Sequence, residues 1–283
     1  MLIEEGDWDA RSSEVLREMQ AHTKQFVTPI SRTLNNDEGE MHGTGVYVQI
    51  GDHKYLITNE HVASAIQLNS ITHQFLGSDL VFRALNPFLT FGWPIDAAIM
   101  RVPEDVRTME TQEGAAIPEH RLALFHAPVE SELLFFQGFS GEGSHFLFGN
   151  LFSRLTSYVF REVPLPQDVR FKDRFHFGVD YRPDMAKIAS GDSRGLPQPK
   201  GFSGSLVWNT RFVQRLQEGN EWSPDDAVVT GLVWGWPSAL ACLVATRIEY
   251  VRSFLLMAVC EYHDVLKQAA QLANNSAPGC GAT

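Results

Sequence analysis

The chain has 283 residues, 44% of them hydrophobic and 20% charged, enough for one large domain or two small ones and ordinary for a soluble globular protein. A formal net charge of −11 without any basic stretch argues against nucleic acid as the main partner and gives no pull toward an anionic membrane. Met1-Leu2-Ile3-Glu4-Glu5 lacks the positive start and apolar run of a secretory signal, and the apolar run at 254–260 is far too short to span a bilayer. The cysteines, Cys242, Cys260 and Cys280, are odd in number and confined to the last fifth of the chain. Each reads most simply as an incidental thiol, and the expectation is a reduced, cytoplasmic protein.

Residues 12–26 space Val15, Leu16, Met19 and Phe26 along a helix with serines at its start, and the polar stretch 34–41 reads as a turn. The period then changes to two. Residues 45–50 alternate, 51–53 turn and 54–58 return, which makes a hairpin. Further short strands are expected near 80–85, 97–102 and 122–126, and the charged, proline-bearing stretch 102–118 leads to the end of the first half. In the second half, 133–139 forms a strand, 146–148 and 154–163 pair around Gly149-Asn150, and 174–180 and 227–234 alternate. Residues 249–272 read as a closing amphipathic helix, and the small, polar tail 274–283 is expected to be disordered. Short strands at regular intervals argue for barrels or sandwiches rather than alternating βα units.

Three stretches carry chemistry. They are Thr58-Asn59-Glu60-His61-Val62, then Trp93-Pro94-Ile95-Asp96-Ala97-Ala98-Ile99, then Gly201-Phe202-Ser203-Gly204-Ser205. Acyl transfer by a serine needs a nucleophile, a base to take its proton and an acid to orient the base, and Ser203, His61 and Asp96 supply these types in the order His…Asp…Ser. The bland alternatives are a histidine of the surface or core and a strand-capping aspartate. His53, Asp52 and Glu60 make no metal-ligand spacing, so no metal is expected.

Gly43-Thr44-Gly45-Val46 followed by Leu56 through Val62 resembles the catalytic-histidine hairpin of trypsin-like (chymotrypsin-fold) serine proteases. Asp96-Ala97-Ala98-Ile99-Met100 resembles their aspartate strand. Gly201 through Ser205 resembles their serine loop, especially that of disulfide-free bacterial members. Gly231 through Trp236 is similar to the strand lining their cleft, and Val244 through Ile248 to their last strand. The match covers roughly 40–265. It implies an all-β fold of two antiparallel six-stranded β-barrels with N-terminal and C-terminal helices. The expected division is a helical extension 1–40, a first barrel 41–125 with His61 and Asp96, a second barrel 126–248 with Ser203, a helix 249–273 and a tail 274–283. The resemblance further implies a serine endopeptidase with His61 as general base, Asp96 as orienting acid and Ser203 as nucleophile, the N–H groups of Gly201 and Ser203 forming the oxyanion hole. It implies a protein or peptide substrate, no cofactor, and an activating protein partner or dedicated target that restrains the enzyme in the cell.

Rivals and departures sharpen these expectations. Gly191-Asp192-Ser193-Arg194-Gly195 offers Ser193 as another nucleophile, but Arg194 stands where glycine is needed, and no strand follows. Asp79 and Asp105 are weaker acids because no comparable apolar strand follows them. Phe202 replaces the aspartate that many secreted members use as an activation switch, and Ser205 replaces a glycine. Trp234 is expected where a serine often supports the buried aspartate. Pro197 falls where trypsin has its acidic pocket floor, and Leu243 where an open pocket wants glycine, so an apolar or small P1 residue is expected, not a basic one. The edge at Trp234, Gly235 and Trp236 would add an extended peptide as a strand, although both tryptophans could equally be core. The rival functions are a catalytically silent peptide- or protein-binding module and, more weakly, an ester hydrolase, whose usual order places serine before acid before histidine.

Overall fold

The computed structural model describes residues 5–34, 39–64, 71–78, 80–104, 106, 114–147, 150–182, 196–237 and 241–276. Helix α1 (Glu5–Thr23) runs through a single 3-10 turn into β1 (Val27–Thr33), β2 (Gly39–Ile50), β3 (His53–Thr58) and a short helix α2 (Glu60–Ser64). The first half continues with β4 (Ile71–His73), β5 (Phe82–Arg83), β6 (Leu89–Phe91), β7 (Ala97–Arg101) and β8 (Ile117–Pro118). The second half contains β9 (Leu134–Leu147), β10 (Asn150–Phe160), β11 (Glu162–Val163), β12 (His176–Asp180), β13 (Leu206–Asn209), helix α3 (Phe212–Gln217), β14 (Val228–Gly235) and β15 (Cys242–Arg247). Helix α4 (Ile248–Ser276) closes it.

The first sheet runs in the order β5-β4-β1-β2-β3-β7-β6, with β8 beside β2; the second runs β10-β9-β13-β14-β15-β12-β11. All pairings are antiparallel save that of β8 with β2. This is the expected two-barrel, trypsin-like architecture with a helix at each end. Strands of two or three residues bring the described sheets to eight and seven strands rather than six each.

Most long strands are buried on both faces, which is why they read as nearly continuous apolar runs. On β2, Val46, Val48 and Ile50 face a cluster shared by both sheets, α1 and α4, whereas Tyr47 faces the interior of the first barrel beside Leu56 and Met100. On β9, Phe135 joins the shared cluster while Leu134 and Phe136 fill the second barrel with Phe177, Tyr181 and Phe202. Each such side chain contributes roughly 1.5–3 kcal/mol by burial.

Several boundaries differ from the sequence reading. The first sheet begins at Val27, not 41, because β1 pairs with β2 from Val27↔Val46 to Thr33↔Gly39; the expected 1–40 extension is therefore helix plus the first strand. Helix α1 starts at Glu5 rather than Ser12. The strand expected at 122–126 is reduced to one bridge, Leu122 to Val229, since Leu124 and Phe125 turn outward with 64% and 68% exposure. The stretch at 133–139 and the described residues 146–147 of the next join in β9, which pairs with β10 from Asn150↔Leu147 to Phe160↔Leu134. Helix α4 extends to Ser276. The remainder of the expected tail, together with Ser193, Asp79, Asp105 and Cys280, lies outside the described residues.

Candidate active site

Strand β3 ends at Thr58, and α2 begins at Glu60, so His61 is lifted out of the sheet in the first turn of a helix. Asp96 stands immediately before β7, which pairs with β3, so the two residues come together across neighbouring strands. One carboxylate oxygen of Asp96 accepts the His61 backbone N–H at 3.0 Å and the other lies 2.7 Å from His61 Nδ1. An ionised carboxylate only accepts, so Nδ1 carries a proton, and in the neutral ring Nε2 keeps its lone pair. The His61 side chain is 46% exposed and that of Asp96 10%, which puts the basic nitrogen at the surface and its orienting acid inside.

The serine loop is held by its own turns and by the first barrel. Phe202 N–H donates to Pro199 O, Ser205 N–H to Phe202 O, and Gly204 N–H to Val233 O. Thr44 of β2 then grips the loop twice: its N–H donates to Ser203 O and its hydroxyl to Gly201 O, both at 2.8 Å. Thr44 O in turn accepts the Thr58 hydroxyl at 2.8 Å, three residues before His61. A Cβ on Gly204 would lie 1.9 Å from Thr44 O, and Gly204 has φ +93°, so only glycine permits this contact. Thr44 thus couples the histidine hairpin to the serine loop. Its part in this was not legible in the sequence, where it stands only as one member of the Gly43–Val46 stretch of the histidine hairpin.

Ser203 is half-buried, and no hydrogen bond joins its hydroxyl to His61 among the described residues. Their segments nevertheless converge on Gly43, where an added Cβ would lie 2.8 Å from Val62 Cγ1 and 3.3 Å from Ser203 O. The N–H groups of Gly201 and Ser203 donate to no described residue, while those of Phe202, Gly204 and Ser205 are all engaged. Lys200 O accepts Gly141 N–H of β9 at 2.8 Å. In a trans peptide the following N–H points the opposite way, so this bond turns the Gly201 N–H away from β9.

The residues expected to shape specificity lie on the second barrel. Leu243 is fully buried against the cluster of Tyr181 and Phe202, and Pro197 O accepts the Tyr181 hydroxyl at 2.6 Å. Trp236 packs at the edge of that cluster, and Gly235 ends β14 opposite Val244. Trp234, which stands where a serine often supports the aspartate, packs on Phe171 and His176 and makes no hydrogen bond to Asp96 among the described residues.

Two histidines were missed. His42 precedes Gly43 on β2, and burial pulls its pKa below the ordinary value. His176 on β12 is fully buried, with its pKa likewise lowered chiefly by burial. No group of three or more metal-ligating side chains occurs among the described residues.

The chain has the two-barrel trypsin-like fold, with the histidine–aspartate pair on the first barrel and the serine loop on the second, the loop tied to the first barrel through Thr44. No known family description matches it, and no curated protein matches it either. Among solved structures it is similar to the Rv3671c protease of M. tuberculosis in its active form, at 16% identity and a TM-score of 0.46, covering 82% of this chain and 81% of that one. It is also similar to tobacco etch virus protease complexed with product, at 14% identity and a TM-score of 0.45 over 82% and 76% of the two chains. The VesB protease of Vibrio cholerae is similar at 13% identity and a TM-score of 0.45 over 82% and 63%. These scores add no weight to the fold, which rests on strand order and register.

Proposed function

We propose that this protein is a serine endopeptidase in which Ser203, His61 and Asp96 act as nucleophile, general base and orienting acid. The observation that carries the reading is the two-point grip of Asp96 on His61, which leaves Nε2 unengaged among the described residues, together with the hold of Thr44 on the serine loop. In the proposed reaction the Ser203 hydroxyl gives its proton to His61 Nε2 as Oγ bonds the substrate carbonyl carbon. The resulting oxyanion accepts the N–H groups of Gly201 and Ser203. His61 returns the proton to the leaving amine, an acyl-enzyme remains, and water activated by His61 then attacks the acyl carbon and frees Ser203. The scheme calls for no metal or cofactor. With Leu243 buried and proline at 197, the P1 residue is small or apolar.

A serine-reactive phosphonate should label the wild type and leave Ser203→Ala unlabelled. Labelling that survives the substitution would show the nucleophile to be wrongly assigned. The lack of a Ser203–His61 hydrogen bond favours one rival, a peptide-binding module without turnover. Casein clearance by the wild type but not by Ser203→Ala rules that rival out. The odd number of cysteines, all in the last fifth of the chain, supports a reducing, cytoplasmic setting, where an unrestrained protease is a hazard; an activating protein partner or a dedicated target belongs to the same proposal.

A further inference from the structure

The carboxylate of Asp96 accepts hydrogen bonds only from His61 among the described residues, so its orientation must come from the backbone that carries it. That backbone is held at every polar group from Ile95 to Asp96 and at the carbonyl before them. The N–H groups of Ile95 and Asp96 both donate to Gly92 O. Three consecutive carbonyls each accept one side-chain hydrogen bond: Pro94 O from His176 Nε2 at 2.8 Å, Ile95 O from the Thr246 hydroxyl at 3.0 Å, and Asp96 O from Asn59 Nδ2 at 2.7 Å. His176, Thr246 and Asn59 are all fully buried. Two of the three come from the other barrel, where His176 and Thr246 stand opposite one another across β12 and β15.

The tautomer of His176 is fixed by its second nitrogen. Nδ1 lies 3.0 Å from the Lys172 N–H and must accept it, so Nε2 carries the proton that goes to Pro94 O. The ring is thus neutral and correctly turned, and Trp234 and Phe175 lie against it.

We infer that His176, with Thr246, is a positioning residue of the active site: the second barrel clamps the aspartate loop of the first and thereby aims Asp96 at His61. This rests on the proposed triad for its consequence in turnover, but the aim of Asp96 can be read without turnover. The reading is made on the full chain by two measurements. One is kcat and KM on casein. The other is the proton resonance of His61 Nδ1–H in 15N-histidine-labelled protein. The chains compared are wild type, His176→Phe, His176→Gln and Thr246→Val.

A folded His176→Phe should lose about 10- to 100-fold in kcat with KM within about two-fold, because a slight misplacement acts on the reacting geometry and not on binding. Its Nδ1–H resonance should shift or vanish. His176→Gln can donate from a similar position and should keep kcat within about three-fold and the resonance in place. A folded His176→Phe with an unchanged resonance overturns the inference, as does a glutamine variant that behaves like phenylalanine. Should the phenylalanine variant not fold, Thr246→Val decides: a displaced resonance supports the clamp, and an unmoved one refutes it. Persistent phosphonate labelling of Ser203→Ala would remove the triad reading while leaving the resonance test intact.

Discussion

Asp96 adopts φ +49°, a left-handed state that costs a non-glycine residue roughly 1–3 kcal/mol and persists only where the surroundings over-determine it. The hydrogen bonds around it do so. Asparagine tolerates the same backbone state, so Asp96→Asn should fold with little change in Tm. The amide cannot hold His61 in the productive tautomer as a carboxylate does. We expect kcat to fall on the order of 10³- to 10⁴-fold, measured by casein turnover beside thermal unfolding. At this scale the sequence exposes some residues and hides others. His61, Asp96 and Ser203 stand in short motifs whose neighbours suit their roles. Thr44, Asn59, His176 and Thr246 act through hydrogen bonds to residues 157, 37, 82 and 151 positions away, and no local pattern marks such partners.

Helix α3 has only six residues, and Arg211 before it gives no side-chain cap. The Thr210 hydroxyl accepts the Phe212 N–H at 3.2 Å, and the rest of the cap arrives from far away in the chain. The buried carboxylate of Glu132 accepts the N–H groups of Val213 and Gln214, and also that of Leu133. A negative charge there also complements the helix N-terminus. Glu132→Ala strands these donors and should cost about 3 kcal/mol in urea unfolding, with Glu132→Gln costing roughly half as much. Elements such as the β2–β3 hairpin, β7 and β14 were legible because two-faced burial writes itself as a dense apolar run. Strand β1 was hidden by its composition, Val-Thr-Pro-Ile-Ser-Arg-Thr, in which proline and polar residues sit in a buried strand. The stretch 122–126 misled in the opposite sense, since Leu124 and Phe125 are apolar yet exposed.

The two barrels and both terminal helices share one hydrophobic cluster, so the molecule should lose its structure as a unit. Within the first barrel a second, polar feature sets its response to acid. His73 is fully buried, 2.7 Å from the Tyr47 hydroxyl, and burial lowers its pKa from 6.5 to about 4. The unfolded chain therefore takes up this proton first as pH falls. The stability His73 permits is complete above about 6.5 and is lost progressively toward pH 4. The loss amounts to roughly 3 kcal/mol, and His73→Gln, which does not titrate there, should lack that part of it. Urea midpoints at pH 7 and pH 4 for the two chains give the comparison.

The barrel-to-barrel hold on the Pro94–Asp96 segment gives this protein the logic of a two-key lock. A chain cut between 118 and 133 yields one fragment with the imidazole and carboxylate and another with the hydroxyl, but the first also lacks His176 and Thr246, two of the three side chains that hold the backbone of its own acid. Neither half should label or digest casein when expressed singly, and co-expressed halves should regain both abilities only on reassembly. Such a pair would report the meeting of any two partners fused to it.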